Sequence, residues 1–160
     1  MRVIDDSLMA EISTKARNSP RLRHHLNFHE SYADPSQRML IAMEPGSYIR
    51  PHRHLEIPKP EAFLVLRGKI ALVTFDDNGE FLNTVILKAG GPAIGVDLPP
   101  GVWHTLIPLE SETVFYETKP GPFIPIPEGD MAPWAPPEGG AEANNYLTCL
   151  QNKINKSLVH

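Results

Sequence analysis

Apolar residues recur with a helical period only at the two ends of the chain. Over residues 5 to 17, Leu8, Ile12 and Ala16 fall on one face of a 3.6-residue repeat. Asp5, Asp6 or Ser7 can serve as N-cap, and Asn18-Ser19-Pro20 stops the helix. The following stretch, PRLRHHLNFHESYADPSQ, is polar and has no sustained period, so it is expected to be irregular. From residue 38 the pattern changes to short runs of β-branched and aromatic residues: RMLIAME, SYIRPHRH, EAFLVLRG, KIALVTFDD, EFLNTVILK, AIGVDLP, WHTLIPL and ETVFYETK. Asp76-Asp77-Asn78-Gly79 carries the Asn-Gly hairpin signature, and Arg67-Gly68-Lys69 joins two strands tightly. Eight such strands without an intervening helix predict an all-β core, a compact antiparallel sandwich or barrel.

Proline changes the reading after residue 120. Seven of the 17 prolines lie between Pro120 and Pro137, which rules out a helix or a central strand there. Phe123, Ile124, Ile126, Met131 and Trp134 are too apolar for a solvated tether, so the segment is expected to lie across the barrel as an extended arm. A second helix over about residues 140 to 157 carries Ala143, Tyr146, Leu147, Leu150 and Ile154 as one apolar stripe. The expected organisation is a helix and irregular lid segment (1–37), a barrel (38–119), and an arm with a C-terminal helix packed on the same domain (120–160).

The 160 residues suit one domain, and 41% hydrophobic with 21% charged residues is a globular composition. A formal charge of −4 gives no general attraction to nucleic acid or anionic membrane, so any anion must meet a local basic patch. Cys149 is the only cysteine, no run approaches a membrane span, and the acidic start does not resemble a signal peptide. A reducing cytoplasmic setting is the expectation.

Chemistry concentrates in PGSYIRPHRHLEIPKPEAFLVLRG, residues 45 to 68. If SYIRPHRH is a strand, Tyr48, Arg50, His52 and His54 share one face. The next strand opens at Glu61, with Phe63 and Val65 on its face; antiparallel pairing would bring Glu61 towards the histidines. A third imidazole, His104, follows the Pro99-Pro100-Gly101 turn. Three imidazoles and a carboxylate suit one divalent transition metal (Fe, Mn, Ni, Co or Zn) with positions left open for water or substrate. Glu61 could alternatively accept a hydrogen bond that orients a ligand histidine. Glu56 falls in a loop and reads as solvated.

These residues resemble the two motifs of the cupin superfamily: Gly46, His52, His54, Glu61 and Gly68 match the first, and Pro99-x-Gly101-x-x-His104 the second. The resemblance implies a double-stranded β-helix, or jelly-roll barrel, with His52, His54, Glu61 and His104 around an internal metal. Two departures stand out. The six residues from Leu55 to Pro60 are more than the motif usually places between histidine and glutamate, and Pro108 stands where Asn is common. Over nearly the whole chain, SPRLRHHLNFH, QRMLIAMEPGSYIRPHRH, LPPGVWHTLIPLE, FYETKPGPF and APWAPPEG are similar to the WbuC family of cupin-fold metalloproteins. That resemblance implies a place in bacterial O-antigen or other surface lipopolysaccharide biosynthesis.

The function expected is therefore metal-dependent chemistry on a small polar molecule such as a sugar or nucleotide sugar, either isomerisation or epimerisation, or oxygenase chemistry if the metal is iron. Glu61 or a nearby histidine would handle the proton. Arg50 would clamp a carboxylate or phosphate. The alternatives are a non-catalytic small-ligand-binding cupin, or a purely structural metal. Tyr48 and Phe63 would line the pocket or merely fill the barrel. His24, His25 and His29 read as surface or packing residues, unless the N-terminal segment covers the barrel mouth and offers Asn27 or His29 to a substrate. Arg53 points away from the His52 face and Cys149 packs in the terminal helix. The AFLVL run, apolar on both faces, fits one face lining the barrel and the other covered by a helix, the proline-rich arm or another subunit, and the cupin resemblance implies a homodimer.

Overall fold

The computed structural model describes residues 1–157. Helix α1 spans Asp6–Arg17, and eight strands follow: β1 (Arg23–Asn27), β2 (Ser36–Met43), β3 (Glu61–Arg67), β4 (Lys69–Phe75), β5 (Phe81–Lys88), β6 (Gly95–Leu98), β7 (Trp103–Pro108) and β8 (Thr113–Pro120). A 3-10 turn at Glu128–Asp130 and helix α2 (Ala143–Ser157) complete the order. All ladders are antiparallel. One sheet runs β1-β2-β8-β3-β6 and the other β5-β4-β7, and their inner faces meet to form a jelly roll.

The strands alternate in and out as the pleat requires. In β3, Glu61, Phe63 and Val65 are buried while Leu64 and Leu66 face out. Gly68 turns the chain from β3 into the second sheet at φ +74°, where an added Cβ would sit 2.8 Å from Thr113 Cα, so glycine is needed on both counts. At the other turn, Asp76 Oδ1 accepts from the amides of Asn78 and Glu80, and Gly79 takes φ +86°.

Each sheet is covered outside by the segments flanking the barrel. Asp5 caps α1 by accepting from Leu8 N at 2.9 Å, and Met9, Ile12 and Ala16 pack on Leu40, Ala42 and Val114 of the five-stranded sheet. Full burial of Ile12 alone stabilises by about 2 kcal/mol. On the three-stranded sheet, Leu147, Leu150 and Ile154 of α2 join Ala132 and Ala135 of the arm against Ala71, Val73, Phe75, Trp103 and Ile107. Trp134 stacks near Phe75, with ring centroids 4.9 Å apart. The arm thus lies across the barrel.

Two expectations are corrected. The segment after α1 is not wholly irregular, because β1 pairs with β2 from Arg23↔Met43 to Asn27↔Met39. Its inward side chains face an open cavity and are polar, so no apolar alternation marks the strand. Conversely, SYIRPHRH is not a strand: residues 44–51 form no ladder, and His52 alone bridges His104 and Met131. Pro51 lacks the amide a ladder needs. Its carbonyl instead accepts from Ala132 N at 2.9 Å, so the arm supplies the missing partner. No helix among the described residues is long and apolar enough to cross a membrane.

Candidate metal centre

The bridge that replaces the expected strand holds two of the imidazoles. His52 N donates to His104 O at 3.0 Å and His104 N to His52 O at 2.9 Å, which locks the first motif onto β7. Each ring is then fixed through Nδ1, at 3.0 Å from Arg50 O for His52 and 2.9 Å from Val102 O for His104. A carbonyl only accepts, so Nδ1 carries the hydrogen and the lone pair sits on Nε2. Burial, with a smaller contribution from His104, pushes the His52 imidazole down to about 3 and keeps it neutral. Metal ligation requires that form.

Glu61 opens β3 beside these rings and is only 3% exposed. Burial by itself would raise its pKa; the adjacent His104 and His54 rings, with the Lys119 charge, hold the carboxyl well below the usual carboxylate range. Its Oε2 lies 3.1 Å from His104 Nε2 and its Oε1 3.2 Å from His54 Nε2. These separations suit ion pairing, yet His54 Nε2 and Glu61 Oε2 are buried without a hydrogen-bond partner. In neutral His104 the Nε2 lone pair faces a carboxylate oxygen. Only a cation, a proton or a metal, relieves that opposition. Donor atoms of His52, His54 and Glu61 all fall within 4.8 Å of one another, so one ion can reach all three. His104 meets the same carboxylate, and its ring centroid is 4.5 Å from that of His52. The residues fit a divalent transition metal bound by nitrogen and oxygen.

Three functional side chains escaped the sequence reading. Lys119 Nζ sits 2.8 Å from both Glu61 Oε1 and Glu117 Oε1. Burial would lower this lysine, but the Glu117 and Glu61 charges outweigh it and raise its pKa above the ordinary range; burial raises that of Glu117. Phe115, Glu117 and Lys119 alternate on β8, so the inward direction of both charges was readable from TVFYETK. The third is Asp130, fully buried in the arm. Its Oδ2 accepts from the amides of Leu55 and Glu56, both at 2.9 Å, and its Oδ1 lies 3.2 Å from Arg53 Nε. Asp130 therefore orders the long Leu55–Pro60 loop that joins His54 to Glu61. Nothing local announces this contact, which spans some 75 residues of chain.

The cluster lies at the wall of a cavity of about 640 Å³, lined also by Arg50, Phe63, Asn27 and His29. Phe63 stands edge-on to Phe115, with centroids 6.0 Å apart. The Nε and Nη2 groups of Arg50 both donate to Ala132 O, at 3.1 and 2.8 Å. That edge of the guanidinium is unavailable to a ligand; Nη1 faces Glu128 at 3.6 Å. Tyr48 is a correction. It does not line the cavity: its hydroxyl donates to Pro136 O at 2.8 Å and its ring packs edge-on to Tyr146. The same-face rule fails because residues 48–51 are not strand. Glu56 is exposed, in the loop.

Comparison with solved structures places this architecture among known folds. TT1209 of Thermus thermophilus matches with a TM-score of 0.52 at 16% identity, over 75% of this chain and 97% of that one. The conserved protein of unknown function SPY1581 from Streptococcus pyogenes matches with 0.51 at 12% identity, over 77% and 90%. A cupin-2 domain protein of Shewanella frigidimarina is similar with 0.46 at 19% identity, over 61% and 80%. What is shared with the first two is the fold, an antiparallel two-sheet jelly roll. No curated protein matches the sequence. A family model does, over residues 4–87, and the chain belongs to that family, described as a domain of unknown function, DUF6016.

Proposed function

We propose that the protein is a metal-dependent cupin enzyme acting on a small, anionic, sugar-like molecule, of the WbuC type that the sequence resembles, in the assembly of bacterial surface polysaccharide. The observation that carries the proposal is the meeting of His54 Nε2 and His104 Nε2 with one Glu61 carboxylate, at 3.2 and 3.1 Å, beside a cavity large enough for a small metabolite. His52, His54, Glu61 and His104 would hold the ion. A bound divalent metal supplies Lewis acidity to a substrate oxygen.

The chain's own residues do the rest. Lys119 holds Glu61 in place and keeps it ionised. Glu117, whose proton affinity burial raises, lines the same cavity and is the group suited to take up and return a proton during isomerisation or epimerisation. Arg50 Nη1 and Phe63 shape the space around the substrate. The test is turnover of sugars and nucleotide sugars by protein loaded with Fe, Mn, Co, Ni or Zn, aerobically and anaerobically. Metal-dependent product formation that Glu117→Gln abolishes supports the enzyme. Tight ligand binding that persists in metal-stripped protein, with no product, identifies a binding module instead.

A further inference from the structure

The cavity extends well beyond the metal cluster. Asn27, Met39, Glu117 and Phe63 form one row across β1, β2, β8 and β3, and all four line it. The next residues towards the cluster are Gln37, Lys119 and Glu61, with His29 just past the end of β1. Three strand spacings separate β1 from β3, so His29 and Glu61 stand roughly 14 Å apart along the sheet.

His29 is 8% exposed, and its Nε2 is buried without a hydrogen-bond partner. Its Nδ1 lies 3.1 Å from both Arg38 N and Arg38 O. The Arg38 carbonyl already accepts from Phe28 N at 2.8 Å, whereas the Arg38 amide donates to Nδ1. The hydrogen of the neutral ring is thus on Nε2, a donor that the protein itself leaves without an acceptor. Beside it stand two half-exposed aromatics, Tyr32 and Phe123, with centroids 4.9 Å apart; both line the cavity, and Tyr32 is 6.3 Å from the His29 ring. Such a pair offers an apolar face to a ring and hydrogen-bonding edges around it. Charge defines the remainder. Arg21, Arg23, Arg50 and Lys119 balance Glu61, Glu117, Glu128 and Glu138 in the lining, so a divalent ion makes the cavity net positive.

We propose that this far end is a second subsite, in which His29 Nε2–H donates to an oxygen of an acidic saccharide whose outer ring lies on Tyr32 and Phe123 while its other end reaches the metal cluster. The inference rests on the metal reading for one of the two ends. It makes the ligand longer than a single sugar ring, and it places specificity for length in β1 and the arm rather than at the metal.

Calorimetric titration of the metal-loaded protein with galacturonate and with digalacturonate tests this. The disaccharide is expected to bind about tenfold tighter than the monosaccharide, and His29→Leu to lose about that factor for the disaccharide alone. His29→Gln, which keeps an N–H near the Nε2 position, should restore binding. Tyr32→Ala, at an exposed position, should also lower affinity for the disaccharide only. Equal binding of both acids, or disaccharide affinity unchanged in His29→Leu and Tyr32→Ala, overturns the subsite. Stoichiometric metal with no binding of either acid also overturns it while leaving the metal centre intact; wild-type protein that takes up no metal refutes the metal reading instead.

Discussion

Asp130→Asn is expected to loosen the metal site from a distance. The carboxylate is 0% exposed and makes three contacts: Oδ2 with the Leu55 and Glu56 amides, and Oδ1 with Arg53 Nε. Hydrogen bonds to an ionised group contribute about 1.5–3 kcal/mol each, against about 0.5–1.5 for neutral ones. Asparagine is isosteric, so the cavity term is absent, and what is lost is the charge on three bonds. In addition, the amide must turn its NH₂ towards either Arg53 or the two loop amides, where donor meets donor. The expected cost is about 3 kcal/mol, read from urea unfolding of the metal-free protein. Because the same contacts hold the loop between His54 and Glu61, metal affinity should fall about tenfold in parallel. A double-mutant cycle with Arg53→Met should give a coupling of about 1 kcal/mol or more. Stability within about 0.5 kcal/mol of wild type, with metal affinity unchanged, would refute the claim that Asp130 organises this loop.

Lys119→Met strands Glu61 and Glu117 without the cation between them; metal-free protein should lose about 3 kcal/mol, and added metal should recover much of it by drawing the Glu61 charge, as thermal melts with and without metal would record. A second expectation concerns acid. His52 stays neutral in the fold down to about pH 3, while the unfolded chain protonates it near 6.5. Between those values the unfolded state binds the extra proton, so metal-free stability should fall as pH drops, by up to about 1.4 kcal/mol per unit, with no contribution above 6.5. His52→Asn should remove that part of the slope; an identical pH profile would contradict it. Tyr48→Phe loses the bond to Pro136 O and should cost about 1 kcal/mol of stability while leaving metal content and ligand affinity untouched, since Tyr48 lies outside the cavity.

How far the sequence could be read depended on whether the determinant was local. Seven of the eight strands coincide with apolar runs bounded by turns, because most of their inward residues are apolar and cluster inside the barrel. Strand β1 has no such face: His25 and Asn27 look into the open cavity, so its polar pattern imitates a loop. The four residues that meet at the cluster are spaced as two short segments that the barrel brings together, and each segment is marked by turn glycines. Arg50 and Tyr48 were placed by alternation, which holds only for a strand. Pro51 has no amide for a ladder there; Tyr48 turns to Pro136 O, and Arg50 binds Ala132 O. Glu117 and Lys119 obey alternation on a true strand and could have been assigned to the interior from the sequence. Asp130 could not, since its partners are set by where the arm crosses the His54 loop.

The claim that most needs testing is that His52, His54, Glu61 and His104 bind one metal. Metal analysis of purified wild type, His52→Ala and His104→Ala, each checked for an intact β-rich spectrum, addresses it directly. About one divalent transition metal per chain in wild type, with most of it lost from both variants, is the expected result. Stoichiometric metal retained in both folded variants, or a wild type that binds none of Fe, Mn, Co, Ni and Zn, would contradict the account.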